Sequence, residues 1–252
     1  MKISISAATL VCTVVMVAVP SLLRGDATFS DGTFNDSNWT VTSIQSGGFG
    51  GVVDFAGQVA SGGNPGSYRR IDLTVNSGNS AIFGISLFTA SVYNPQTQGA
   101  ISAIDYSEDG IALTAQSQSA GFCLFQEGTV FFANALSYLP TSTWSTHSIT
   151  GQTQLDFSDV DGVGAPDFSA TGAPITFGFW RETSAGGGNG FSSSTGIDNW
   201  SVTIHSVPEP ATLTLITISA FGLVVARGRS DRGIGRTGRS RALKLARQRR
   251  RS

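Results

Sequence analysis

Side chains able to do chemistry are sparse in this 252-residue chain, and where they gather they are acidic. The densest group is Asp156-Phe-Ser-Asp159-Val-Asp161-Gly-Val-Gly-Ala-Pro-Asp167. Calcium takes roughly six to eight hard oxygen ligands, and closely spaced carboxylates with glycine turns can supply them. Asp156, Asp159, Asp161 and Asp167 are therefore the candidate metal ligands, with calcium the possible ion. Aligning Asp159, Asp161 and Gly162 on an EF-hand loop puts Phe157 and Phe168 at ligand positions, so the loop is no EF-hand. A solvated turn between strands competes with the metal reading and is favoured. A second candidate is Ser61-Gly-Gly-Asn-Pro-Gly-Ser-Tyr68-Arg69-Arg70. Glycines let backbone approach a ligand, and Tyr68 beside Arg69 and Arg70 could stack on and hydrogen-bond a sugar. The stretch lacks the spacing and following helix of a phosphate cradle, and a tight turn with a solvated or salt-bridged arginine pair is the commoner meaning.

Catalysis finds little to work with. The histidines are His147 and His205. Ser148 follows His147, but neighbours on a strand point to opposite faces and make no nucleophile–base pair. Glu108-Asp109 and Glu127 stand apart from other acids, without the carboxylate pattern of sandwich-fold glycosidases. The chain reads as a non-enzyme.

Whatever these residues do, strands must position them. Gly, Asn, Asp and Ser clusters interrupt the chain about every ten residues, a spacing that suits an all-β protein. Strands are expected at Trp39–Ile44, Gly51–Ala56, Tyr68–Val75, Ala81–Val92, Ile101–Tyr106, Ile111–Gln116, Gly121–Phe125, Thr129–Ala133, Trp144–Ile149, Ile175–Trp180 and Asn199–Ile204. Within Tyr68–Val75, alternation sets Tyr68, Arg70, Asp72 and Thr74 on one face and Arg69, Ile71, Leu73 and Val75 on the other. No long amphipathic helical period appears. Residues 28–206 suffice for one domain, and the expectation is an antiparallel β-sandwich of jelly-roll or concanavalin-like type. Asn38-Trp39-Thr40-Val41-Thr42 and Asn199-Trp200-Ser201-Val202-Thr203 share a pattern that predicts first and last strands side by side, with both tryptophans in the core.

Charge is unevenly distributed. The whole chain is −1, yet Asp26 to Ser206 hold 15 acids against Arg69, Arg70 and Arg181, and Arg227 to Ser252 hold 11 bases and Asp231. A body of net −12 argues against nucleic acid, whose binding needs clustered Lys and Arg. The basic tail would suit nucleic acid or anionic lipid by composition; beside a membrane span, the topogenic and lipid-headgroup reading is favoured. With Cys12 in the expected signal peptide, the mature chain keeps Cys123 alone, which forms no intramolecular disulfide. Between Phe122, Leu124 and Phe125 it reads as a small buried hydrophobe.

Both ends carry targeting features. Lys2, the uncharged Ile3 to Val19 and the small residues before Thr28 predict a signal peptide over 1–27. At the other end, Val207-Pro208-Glu209-Pro210 blocks any helix running through it. The 16 uncharged positions 211–226 follow; as helix they reach about 24 Å, short of the roughly 30 Å hydrocarbon core. Arg227 and Arg229 come next, and a basic tail over 230–252 that should stay cytoplasmic.

The proline turn, apolar span and arginines in this order resemble the PEP-CTERM sorting signal of Gram-negative bacteria, here over 207–229. That resemblance implies an exported precursor held in the inner membrane by one C-terminal transmembrane helix. It further implies processing near Pro208-Glu209-Pro210 by an exosortase-type membrane transpeptidase, and action at the cell surface or in the extracellular matrix. Such proteins are commonly encoded beside exopolysaccharide genes. The expected function is thus a structural or adhesive surface protein that contacts exopolysaccharide, or else a carbohydrate-binding module with a defined sugar site. An unrecognised hydrolase is a third reading.

Overall fold

Alternation of apolar and polar residues becomes strand throughout the computed structural model, which describes residues 25–47, 50–115 and 118–207. The strands are β1 (Ala27–Asp31), β2 (Trp39–Gly47), β3 (Gly51–Gly63), β4 (Gly66–Val75), β5 (Asn79–Phe88), β6 (Ile101–Ala112), β7 (Ser119–Gln126), β8 (Thr129–Tyr138), β9 (Ser145–Gln152), β10 (Phe157–Ser158), β11 (Ile175–Gly186) and β12 (Phe191–Ser206). A single-turn helix, α1 (Pro95–Gln98), is capped by the Asn94 side chain. The signal peptide, Pro208-Glu209-Pro210, the span 211–226, Arg227, Arg229 and the basic tail lie outside the described residues.

Two six-stranded antiparallel sheets form a sandwich. One has the order β3-β4-β12-β6-β9, with β1 also on β12; the other has the order β10-β8-β7-β11-β5-β2. β12 organises the first sheet. Its front half pairs with β4 and its back half with β1, while β6 follows along the opposite edge. The change of partner falls at a bulge between Asp198 and Ser201, where Asn199 takes φ 49°. Asparagine tolerates that left-handed geometry better than most residues.

Three expectations are corrected here. Ile101–Tyr106 and Ile111–Gln116 are not two strands, because β6 runs unbroken through Asp105 to Gly110. The Trp39 strand does not lie beside the last strand; it sits in the opposite sheet, and the neighbour of β12 is the earlier β1, with Ala27 opposite Ile204. The repeated Asn-Trp pattern has a different meaning. Trp39 and Trp200 project from facing sheets and meet edge-on in the core, ring centroids 5.0 Å apart. Phe34, Phe88 and Phe179 complete that cluster around Trp39, and Tyr106, Phe122 and Phe177 extend it. Buried aromatic rings thus fill the space between the two sheets.

A buried polar network also crosses between the sheets. Glu108 of β6 and Arg181 of β11 are fully buried and paired at 3.1 Å. Tyr106 and Tyr138 donate their hydroxyls to the same carboxylate. Burial pulls the Arg181 pKa down, but the Glu108 charge outweighs it and the guanidinium is held above its ordinary value.

Candidate binding face

The centre of the second sheet is apolar on both faces. In β11, Phe177 and Phe179 point into the core, and the alternate residue Trp180 points outward. The same holds in β7, where Phe122 and Leu124 face in and Cys123 and Phe125 face out, and in β8, where Phe131 faces in and Val130 and Phe132 face out. β5 adds Phe83, Ile85 and Leu87 to the outer layer, and β2 adds Ile44. Three rings cap this layer: Phe83 to Phe132 at 5.5 Å, Phe83 to Trp180 at 5.7 Å and Phe132 to Trp180 at 6.0 Å. Ile85 and Cys123 are fully buried in this layer, whereas Phe83, Phe125 and Phe132 stay half-buried. Burial pushes the Cys123 thiol pKa well up, so Cys123 serves as the small hydrophobe that its neighbours suggested. Trp180 is nearly buried, and its indole N–H has no hydrogen-bond partner among the described residues.

Beside the rings lies a hollow of about 430 Å³, with Thr42, Ile44, Phe125 and Val130 on its floor and Asp159 and Asp161 at its rim. Asp159 accepts from the backbone N–H groups of Val163 and Gly164, which lower its pKa and keep it ionised. The arrangement offers ring faces for apolar contact and carboxylates as hydrogen-bond acceptors at one edge. A sandwich needs one apolar face per sheet for its core, so a second apolar layer is surplus to folding.

The residues singled out by type and spacing are placed otherwise. Arg69 turns into the core, donating to Asp36 at 2.8 Å and to the Ala56 carbonyl at 3.0 Å, with its guanidinium 5.6 Å from the Trp39 ring centroid. Desolvation lowers its pKa, partly offset by Asp36. Tyr68 and Arg70 project from the opposite face of β4: Tyr68 packs edge-on against Trp144, and Arg70 bonds Asp72 and Ser194. The three do not form one ligand surface, because alternation sends Arg69 through the sheet.

The four aspartates do not converge on one point, although Asp159 and Asp161 share the rim of the hollow. Asp156 caps the turn after Thr153, Asp159 closes its own turn, and Asp167 accepts from Ser169 N–H. Among the described residues, no three His, Cys, Asp or Glu side chains converge as a metal site would require. Calcium gains no geometric support. His147 meets Ser145, two residues back on the same face, at 2.9 Å rather than Ser148.

Residue type had not pointed to Phe83, Phe125, Phe132 and Trp180. The available signal was the unbroken apolar runs, Phe122 to Phe125, Val130 to Ala133 and Phe177 to Trp180 apart from one glycine, which mark strands covered on both faces.

Residues 206–230 match the family model of the PEP-CTERM protein-sorting motif. The chain carries that motif, which implies an exported protein with a membrane-anchored precursor and processing by an exosortase. No curated protein matches the chain. Among solved structures, it is similar to a family 11 carbohydrate-binding module from Clostridium thermocellum in complex with a β-1,3-1,4-mixed-linked tetrasaccharide. That match has 14% identity and TM-score 0.43, and covers 73% of this chain and 98% of the module. The xylan-binding domain from Paenibacillus barcinonensis gives 8% identity and TM-score 0.38, over 72% and 94%. The active domain of a tailspike protein from bacteriophage CBA120 gives 11% identity and TM-score 0.35, over 69% of this chain and 20% of that one. At such identities and scores nothing about a ligand carries over.

Proposed function

We propose that this protein is a structural, adhesive component of the bacterial surface or matrix that holds a neutral polysaccharide against the outer face of its second sheet. One observation carries the reading. An exported sandwich keeps an aromatic layer, Phe83, Phe125, Phe132 and Trp180, on a face that its core does not use. Sugar rings present C–H faces that pack on aromatic rings, and their hydroxyls suit acceptors such as Asp159 and Asp161 at the rim. Net charge favours an uncharged ligand, since a body of −12 repels an acidic polymer. The protein acts here as a binder without turnover, and exopolysaccharide is the partner that the sorting route would bring to it.

Affinity electrophoresis of the full chain in detergent, through gels containing a neutral or an acidic polysaccharide, tests this. The neutral gel should retard the wild type, and the acidic gel should not. Phe83→Ala with Phe132→Ala should abolish the retardation while circular dichroism stays that of a folded sandwich. Equal retardation of wild type and variant would remove this face from the account.

A further inference from the structure

Among the described residues, five strands leave a side of their sheet open, and four of them are interrupted or short. β3 carries Asp54 and two register shifts against β4, and β9 has a register shift against β6. β1 and β10 have five and two residues. β2 is different: nine residues, Trp-Thr-Val-Thr-Ser-Ile-Gln-Ser-Gly, without charge or proline, in unbroken register from Trp39 opposite Phe88 to Gly47 opposite Ser80. Its neighbour in the sheet is β5, on one side. Proteins usually guard such an edge with charges, prolines or bulges, because its free N–H and C=O groups template another strand.

The ladder defines which groups are free. Thr89 N–H donates to the Asn38 carbonyl, which makes that pair a hydrogen-bonded one, and in an antiparallel ladder the pattern alternates. Thr40, Thr42, Ile44 and Ser46 therefore turn their backbone groups toward β5. Val41, Ser43, Gln45 and Gly47 turn theirs to the open side, as Trp39 turns its carbonyl, whereas the Trp39 N–H bonds the Asp36 carbonyl. Apart from Trp39 and Ile44, every residue of β2 is exposed.

We propose that this edge pairs with the same edge of a second copy of the chain, antiparallel about a two-fold axis at Ser43. That register sets Val41 opposite Gln45 and Ser43 opposite itself, so their outward backbone groups meet outward groups, and at each end Trp39 faces Gly47 and offers its carbonyl. Thr42 lies across from Ile44 on the outer face, and no charge opposes another. The strand's own sequence thus supplies the whole complement. Elsewhere two bodies of net −12 repel, whereas β2 brings no charge to the contact. Pairing would also join the two outer apolar layers through Ile44, which borders the hollow in each copy. Dimerisation does not depend on what that layer binds.

Cross-linking of the full chain in the envelope of expressing cells tests the register. Opposed α-carbons of a hydrogen-bonded antiparallel pair lie about 5.5 Å apart, within disulfide reach. Under mild oxidation Ser43→Cys should give a disulfide-linked dimer. Wild type and Thr150→Cys, an exposed position on β9, should give none. Val41→Pro added to Ser43→Cys removes an outward N–H and spares the bonds to β5, so the dimer should be lost. In detergent, sedimentation should find two chains for wild type and one for Ser43→Asp, which opposes two carboxylates at the axis. Cross-linking of Ser43→Cys no stronger than that of Thr150→Cys, an adduct with a different protein, or an unchanged dimer for Ser43→Asp would each overturn the proposal.

Discussion

At the scale of single residues, the largest stability term to isolate is the contact between Arg181 and Glu108. Both are fully buried, and the carboxylate also takes hydroxyl donors from Tyr106 and Tyr138. Removing one partner leaves an unpaired charge in the core, at a cost of about 3–5 kcal/mol. Arg181→Met is therefore expected to lower the denaturation midpoint sharply, and a loss below about 1 kcal/mol would mean that the pair matters little. His205 gives a smaller, pH-dependent term. Its two ring nitrogens sit 2.9 Å from Asp26 and from Asp105, and carboxylates only accept, so the imidazolium satisfies both. Bonding to Asp105 and then Asp26 raises its pKa. This stabilisation is fully present below the unfolded value near 6.5 and is lost as pH rises through the raised folded value. Partial exposure keeps it under about 1 kcal/mol. Melting curves of wild type and His205→Gln should converge as pH rises from about 6 toward about 8.5, and a constant gap would remove the linkage. A mature chain beginning at Thr28 would already lack Asp26.

At the scale of elements, β11 bears on both layers of the second sheet. Gly178 lies between Leu87 and Cys123 on its neighbours, and a Cβ there would come 2.1 Å from the Ser86 carbonyl oxygen. Backbone cannot yield as a side chain does, so Gly178→Ala should push β5 from β11 and cost about 1–3 kcal/mol or more. An unchanged melting temperature would contradict that. Strand content was legible from alternation, and so was the face that Arg69 shares with Ile71 and Leu73, but the burial of Arg69 was not. The identity of neighbours was not. Period two says which face a residue takes but not which strand lies beside it. Trp39 and Trp200 were therefore expected on adjacent strands, though they meet across the core. The pairing of Glu108 with Arg181, 73 positions apart, depends on which strands face each other. The aspartates 156–167 look like one group because they are close in sequence, yet Asp156, Asp159 and Asp167 each bond within a separate turn. The aromatic layer went unread because apolar residues on two faces of a strand look like one core.

For the whole molecule, the division of charge matches the division of labour. The last strand of the acidic sandwich ends at Ser206, where the PEP-CTERM match begins, and the Val207 N–H bonds the Ala100 carbonyl. Replacing Pro208 and Glu209 should leave the sandwich folded and keep the chain in the inner membrane, while intact-mass analysis of wild type should find the tail removed. A wild-type mass still including Ser252 would sink processing. The most direct test of the account is where the exported protein stays. Cells expressing wild type, or Phe83→Ala with Phe132→Ala, would be fractionated into medium, matrix polysaccharide and envelope. Wild type should be held with the polysaccharide and the variant, equally exported and folded, released to the medium. Retention of both in the polysaccharide fraction would contradict the claim that the aromatic face does the binding.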